Sequence, residues 1–228
     1  MGARPAARVA GCVVSIVIDK DVRVRFGPAR DQDPRPTCMA FAVSDAHAAA
    51  RGAWTPLSVE WAYYHALKHD GSKPHAGVTM TGMLTALRSD GQPEESAWPY
   101  IAEKFTDMSG WVPPPANPIY RRESTQRPAS IDTIRQCLDT GEALVLTLSI
   151  SRSFFRPKLG GVIDATEVLE PRRIHAVIAV GYGHRQQETF ILVRNSWGES
   201  WGIEGYAWAS EIYLKPRLLR AATMAGEP

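Results

Sequence analysis

The chain has 228 residues, of which 44% are hydrophobic, and a formal net charge of +2. These values predict one compact domain over residues 1–228, and a chain of this size buries about 70–75% of its unfolded surface. Its balanced charges contain no basic run that would indicate nucleic acid binding, and no stretch approaches the roughly 20 apolar residues of a membrane span.

The first residues carry weak targeting signals. Val9–Cys12 looks like a bacterial lipobox, but Arg4 and Arg8 leave no hydrophobic stretch before it. The apolar run Val13–Ile18 is too short for the core of a signal peptide. We therefore predict that it forms a strand.

The first predicted helix begins at Cys38, ends at Arg51 and is closed by Gly52. Thr37 is expected to cap it, and Pro36 resists its extension backwards. Cys38 would then sit on the first turn, near unsatisfied N–H groups and the positive end of the helix dipole. This position favours the thiolate, which is the nucleophilic form of cysteine. An inert buried thiol is the alternative for an isolated cysteine.

Gln32 lies six residues before Cys38. When a thiolate attacks a carbonyl group, negative charge develops on the oxygen, and donors already aimed at that oxygen stabilise it. The side-chain amide of Gln32 and the backbone N–H of Cys38 are therefore predicted to form an oxyanion hole.

Two more helices are predicted, over Val59–His69 and Met80–Asp90. His65 and His69 lie four residues apart on the first of these, and His75 could join them as a third metal ligand. No glutamate follows His65 in the His-Glu-x-x-His pattern. We favour surface histidines and predict no metal site and no cofactor.

The second half of the chain is predicted to be rich in strands. A proline-rich segment, 111–118, indicates an extended crossover between two lobes. A helix is predicted from Ile131, and four strand-like runs begin near Ala143, Ala176, Thr189 and Gly205. A helical lobe with the nucleophile would then face a β lobe across a cleft.

His175 opens the second of these runs, and Asn195 follows the third. A histidine held at the start of a strand can take the proton of Cys38 and deliver it to a leaving amine. The amide oxygen of Asn195 can fix the imidazole tautomer, and Trp197 can shield that bond from water. A core histidine and a turn asparagine are the simpler interpretations of each residue alone. Their joint order favours catalysis.

These sequences resemble the papain-like cysteine peptidases. Asn195–Gly202, with Gly205 and Tyr206, is similar to the family signature Asn-Ser-Trp-Gly-x-x-Trp-Gly. The interval from Cys38 to His175 matches the roughly 130–150 residues typical of the papain and cathepsin group. The likeness extends from about residue 22 to residue 212.

The resemblance implies an α+β papain-like fold of two lobes with the active-site cleft between them. The helical lobe would span about residues 30–115. The antiparallel β-barrel-like lobe would span about residues 116–215, with residues 1–29 packed on it.

The resemblance also implies the residues that bind substrate. Gly77, Val78 and Thr79 would form the cleft edge that binds an extended peptide as an added strand. Ile174 and Thr79 would line the pocket for the side chain second from the scissile bond, which predicts an apolar preference. Trp197 is a further expected substrate contact.

The implied function is that of a cysteine endopeptidase, a thiol hydrolase that acts through a Cys38 acyl-enzyme. His175 would be the general base and acid, Asn195 would orient it, and Gln32 would serve the oxyanion hole. Two alternatives stay open: another thiol acyl-transfer enzyme, such as a deamidase, transamidase or peptide-modifying effector, and a silent peptide-binding module. The expected partner is a peptide or protein substrate, with a separate protein inhibitor left open and no nucleic acid or membrane partner.

The chain departs from the family pattern on both sides of the nucleophile. Arg35 replaces a cysteine and Met39 replaces a tryptophan, so one family disulfide is lost. Only Cys12 and Cys137 are left for a bridge, and Cys137 is predicted to be a buried free thiol. The few cysteines fit a reducing compartment or a lineage that never used the bridges. We expect a bacterial protein in the cytoplasm, with delivery as a secreted effector left open. The segment before the nucleophile is too short for the family's inhibitory propeptide, unless the chain is an excised domain.

Overall fold

A computed structural model describes residues 15–103, 109–158, 160–163 and 165–226. The helices are α1 (Cys38–Ala50), α2 (Val59–Asp70), α3 (Met80–Ser89), α4 (Ile131–Asp139), α5 (Arg152–Phe155) and α6 (Glu211–Leu214). The strands are β1 (Val17–Asp21), β2 (Ser124–Arg127), β3 (Leu144–Ser149), β4 (Ile174–Arg185), β5 (Glu188–Arg194), β6 (Tyr206–Ser210) and β7 (Leu218–Met224). No helix within these described ranges is long and apolar enough to cross a membrane.

Helix α1 is the central element of the molecule. Every residue from Met39 to Ala49 is buried, and many of these residues are alanines, whose small side chains let neighbouring elements approach closely. One side of α1 packs on α2 and α3, and the other side packs on β3, β4 and β7. Its first residue, Cys38, therefore lies where the helical part of the chain meets the sheet.

The start of α1 differs from the prediction. Thr37 occupies the cap position, but its side chain makes no cap hydrogen bond. Its φ and ψ of −106° and 15° are not the extended values that a capping side chain requires. The Oγ1 atom instead lies 3.0 Å from the hydroxyl of Tyr100. The expected capping role of Thr37 is therefore wrong.

The strands form a seven-stranded antiparallel sheet in the order β2-β7-β3-β4-β5-β6, with β1 added beside β4. Strand β4 is 12 residues long. Its residues 174–179 pair with β3, and residues 181–184 of the same edge pair with β1. A helical region and an antiparallel sheet are thus both present, as the predicted α+β class requires.

Three strands depart from the sequence-based expectations. The predicted strand Val13–Ile18 starts outside the described residues, and the observed β1 begins only at Val17. Cys12 also lies outside the described residues. Strand β2, Ser-Thr-Gln-Arg, was not predicted because it is polar and pairs only with β7 at the sheet edge. Strand β7 was also missed, although it pairs with both β2 and β3. Cys137 is buried, as predicted, and its unpaired state stays a prediction because Cys12 lies outside the described residues.

Candidate active site

Cys38 and His175 line one pocket of about 490 Å³. Cys38 is half-buried on the first turn of α1, and His175 is buried near the start of β4. Because α1 packs directly on β4, the fold brings together a thiol and an imidazole that are far apart in the sequence. This is the juxtaposition that a nucleophile and its base require.

Asn195 holds the imidazole ring from the far side. His175 Nε2 lies 2.6 Å from Asn195 Oδ1. The same oxygen accepts the backbone N–H of Ser196 at 2.8 Å, which fixes the amide with its oxygen toward the ring. Nε2 must therefore donate, and in the neutral ring Nδ1 keeps the lone pair that can accept a proton.

An aromatic group covers His175. The ring of Trp197 lies 4.6 Å from the imidazole between centroids, and the ring of Phe154 lies 5.6 Å from it. Phe155 stacks on the outer face of Trp197 at 4.9 Å. Trp197 thus lies where it can shield the imidazole from water. It is not one of the residues that line the Cys38 pocket.

Gln32 is buried and has both ends of its amide engaged. Its Nε2 donates to the carbonyl of Arg35 at 2.9 Å, and its Oε1 accepts from the hydroxyl of Ser196 at 2.7 Å. A primary amide has two N–H groups, so one of them is still available to an oxyanion. Gln32 is not among the residues that line the Cys38 pocket.

Burial dominates the titration of both reactive groups. It raises the pKa of the Cys38 thiol, although backbone N–H groups of Ala176, Met39 and Cys38 itself act in the opposite direction. Burial also lowers the pKa of His175 to about 4, against the opposing hydrogen bond to Asn195. The N–H groups of the first turn of α1 therefore act in the expected direction, but desolvation of the charged form outweighs them, so the net shift of the thiol pKa is upward.

The expected substrate-binding segment borders the same pocket. Gly77, Val78, Thr79 and Ile174 all line it. Thr79 also caps α3 through its side chain, and its Oγ1 and N–H contact the Asp70 carboxylate, each at 2.7 Å. The cleft edge is therefore anchored to the ends of α2 and α3.

Sequence reasoning missed the far wall of the pocket. Thr147 on β3 and Leu219 and Arg220 on β7 line it. Residues 218–224 form β7, and its pairing with β3 joins segments that are distant in the sequence. No local pattern predicts that contact.

Arg35, in place of the expected cysteine, makes a buried ion pair. Its guanidinium binds Glu60 through two contacts of 2.6 and 3.0 Å, and both side chains are at most 1% exposed. Glu60 also accepts hydrogen bonds from Trp111 Nε1 and the backbone of Ile101. The loop before Cys38 is thus fixed to α2 by charge.

A second buried ion pair joins α1 to the strand before Asn195, and sequence reasoning missed it. Asp45 on α1 binds Arg194 Nε at 2.9 Å and Arg30 Nε at 2.8 Å. Arg194 is 1% exposed and also donates to the carbonyls of Gly27 and Pro28. Helix α1 and the segment that contains Asn195 are therefore held together.

The histidines of α2 contact a carboxylate. His65 and His69 lie 3.0 and 2.7 Å from the two oxygens of Asp90. Within the described residues, which include His75, no group of three or more His, Cys, Asp or Glu side chains is placed to hold a metal ion.

Comparison with known proteins gives one family. A sequence profile described as papain family cysteine protease matches residues 20–213. Mouse cathepsin R is 28% identical over 213 residues, which cover 87% of this chain and 61% of that protein. Rat cathepsin J is 27% identical over 197 residues, which cover 78% of this chain and 55% of that protein. The chain therefore spans less than two thirds of the length of these relatives.

The solved structures give the same fold. The crystal structure of xylellain, a cysteine protease from Xylella fastidiosa, matches with a TM-score of 0.75 at 22% sequence identity. The match covers 94% of this chain and 88% of that chain. A procathepsin L 3 from Tenebrio molitor matches with a TM-score of 0.68 at 17% identity, covering 95% of this chain and 72% of that chain. The predicted papain-like α+β fold is confirmed.

Proposed function

This chain belongs to the papain family of cysteine proteases, and from that premise we propose that it is an endopeptidase that cleaves peptide bonds through a thioester on Cys38. His175 is the general base and then the general acid, Asn195 is its positioning residue, and Gln32 stabilises the oxyanion. The observation that carries the proposal is the orientation of His175: its Nε2 is committed to Asn195 at 2.6 Å, while the residue lines the same pocket as the thiol.

The first half of the reaction forms the thioester. His175 Nδ1 accepts the Cys38 Sγ proton as the sulfur attacks the carbonyl carbon of the peptide bond. The negative charge on the oxygen is stabilised by the backbone N–H of Cys38 and the second N–H of Gln32 Nε2. When the C–N bond breaks, the imidazolium gives its proton to the leaving nitrogen. The amine product departs, and the acyl group stays on sulfur.

The second half hydrolyses the thioester. A water molecule attacks the acyl carbon while His175 Nδ1 takes one of its protons. The C–S bond then breaks, the proton returns to the sulfur, and the carboxylic acid product leaves. Each half of the reaction therefore starts from a neutral imidazole, which agrees with the low pKa of about 4 at His175.

The test is covalent labelling with a peptide epoxide. The protein carries a built-in comparison, because Cys137 is a second free thiol whose pKa burial also raises. We expect one adduct, at Cys38, by intact mass and peptide mapping. Unfolding before labelling should abolish the selectivity, and Cys38→Ala should abolish the adduct.

Slow labelling shared between Cys38 and Cys137 would contradict the proposal, because it would mean that the pocket does not activate the thiol. Product analysis separates hydrolysis from other acyl transfer. A peptide substrate incubated with a competing amine should give mainly the free acid, whereas a dominant amide product would assign a transamidase.

A further inference from the structure

The wall of the Cys38 pocket opposite α1 is formed by three neighbouring strands. In the sheet register, Thr147 on β3 lies directly opposite Ala176 on β4 and directly opposite Arg220 on β7. Directly opposite residues place their side chains on the same face of a sheet, and all three line the pocket. The small side chain of Ala176, the hydroxyl of Thr147 and the guanidinium of Arg220 therefore lie side by side across this wall. Ala176 is next to His175 in the sequence.

The hydroxyl in this row has an unmet hydrogen bond. Thr147 is 8% exposed, and its buried Oγ1 atom has no hydrogen-bond partner among the described residues. A buried polar atom without a partner is costly and normally has a reason. Because Thr147 lines the pocket, a bound group with an acceptor atom would supply the partner.

The guanidinium in this row is also without a counter-charge. Arg220 is exposed, and within the described ranges no carboxylate makes an ion pair with it and no carboxylate lines the pocket. Asp70, which touches the pocket residue Thr79, is already engaged by the N–H and Oγ1 of that residue. The other walls include the apolar side chains of Val78 and Met80, and Leu219 lies beside Arg220 on β7.

We infer that this pocket selects an acidic side chain of the peptide substrate, with its carboxylate bound by Arg220 and Thr147. The apolar walls accommodate the methylene groups of a glutamate, while the guanidinium and the hydroxyl donate to its oxygens. The inference rests on the proposed protease function and names its substrate class. It replaces the apolar preference predicted from Ile174 and Thr79, because that prediction did not include the contribution of β7.

The test uses internally quenched peptides with blocked termini, so that one side chain is the only carboxylate. Pairs that differ as Glu or Gln are scanned over the three positions before the scissile bond. At one position, wild-type kcat/KM should favour Glu over Gln by about tenfold to a hundredfold, the usual range for a charge-assisted hydrogen bond. Added salt should reduce this ratio, because part of it is electrostatic.

Three variants locate the effect. Arg220→Gln should bring the Glu-to-Gln ratio close to one, and Arg220→Glu should favour a lysine at the same position. Thr147→Val, which keeps the shape and removes the hydroxyl, should lower the ratio by a few-fold. Arg88→Gln is the matched control, since Arg88 is an exposed arginine paired with Glu123 away from the pocket, and it should keep the wild-type ratio.

The binding of the same peptides to Cys38→Ala separates the two proposals. Cleavage without a Glu preference, or a preference that Arg220→Gln leaves intact, overturns the inference and leaves the protease function standing. Tighter binding of the Glu peptide without cleavage by the wild type supports the inference and overturns the protease function. If the wild type does not cleave the peptides and Cys38→Ala does not bind the Glu peptide more tightly, both proposals are overturned.

Discussion

Ser196 connects the two polar groups that the proposed mechanism places on either side of the reacting atoms. Its backbone N–H donates to Asn195 Oδ1, and its hydroxyl donates to Gln32 Oε1. Its carbonyl also accepts the backbone N–H of Gln32 at 2.9 Å. One residue therefore sets the orientation of both amides, so that each presents the intended end to the site.

The role proposed for Gln32 predicts a loss of turnover. Gln32→Ala should lower kcat by about 10²–10³, because an oxyanion donor acts mainly in the transition state. Gln32→Glu has the same shape but offers acceptors in place of the amide N–H groups, so it should lose at least as much. Steady-state kinetics on one peptide substrate measure both variants. An unchanged kcat in Gln32→Ala would exclude this residue from the oxyanion hole.

The sequence predicted the placement of single residues better than their environment. Cys38 and His175 were expected to share a cleft, and the structure brings them to one pocket. The expected low thiol pKa failed because a linear sequence shows a helix start but not the burial around it. Arg220 was not predicted for a similar reason, since its neighbours come from β3 and β4.

At the scale of elements, a buried ion pair fixes the position of α1 relative to β5. Asp45 on α1 is 4% exposed, and it binds Arg30 and the buried Arg194. Since Asn195 directly follows Arg194, this contact also positions the asparagine relative to the helix that carries the nucleophile.

Asp45→Ala should destabilise the protein strongly. The change leaves the Arg194 guanidinium without its carboxylate, and breaking a buried ion pair costs about 3–5 kcal/mol. Denaturant unfolding measures the free energy difference. Arg23→Ala is the matched control, since its ion pair with Asp21 is partly exposed and should contribute about 1 kcal/mol or less. Equal losses in the two variants would contradict the importance of burial.

Elements were predictable where a local signal coincided with a buried face. The predicted starts of α2, α3 and α4 were Val59, Met80 and Ile131, and the structure confirms all three. Strand β2 lies at the sheet edge, where it pairs only with β7, and its polar side chains are mostly exposed. Its existence follows from its pairing with β7, so this edge strand could not be identified from local pattern alone.

At the scale of the whole molecule, the core contains two histidines that folding keeps neutral. His47, buried in α1, and His175 both have a pKa lowered to about 4, chiefly by burial. His47 Nδ1 lies 3.0 Å from Gln92 Oε1, and Nε2 has no partner within the described residues. The nearby positive charges of Arg122 and Arg51 add to the effect of burial.

These shifts predict a loss of stability in weak acid. Between pH 6.5 and about 4 the unfolded chain binds protons that the folded chain does not, so the free energy of unfolding falls as the pH falls through this range. Each histidine contributes about 3 kcal/mol at most over that window, at 1.36 kcal/mol per pH unit. Below about pH 4 both states are protonated, and this contribution levels off. Glu95, whose pKa burial raises, acts in the opposite direction.

His47→Gln tests this prediction, because glutamine is polar and similar in size to histidine but cannot titrate. Denaturant unfolding at several pH values should show a shallower dependence of the free energy of unfolding between pH 6.5 and 4 in this variant, by the contribution of one buried histidine. The wild-type protein, measured at the same pH values, is the reference. If His47→Gln keeps the wild-type slope, the acid sensitivity comes from other groups, and the neutral histidines of the core do not set the pH range in which the protein stays folded.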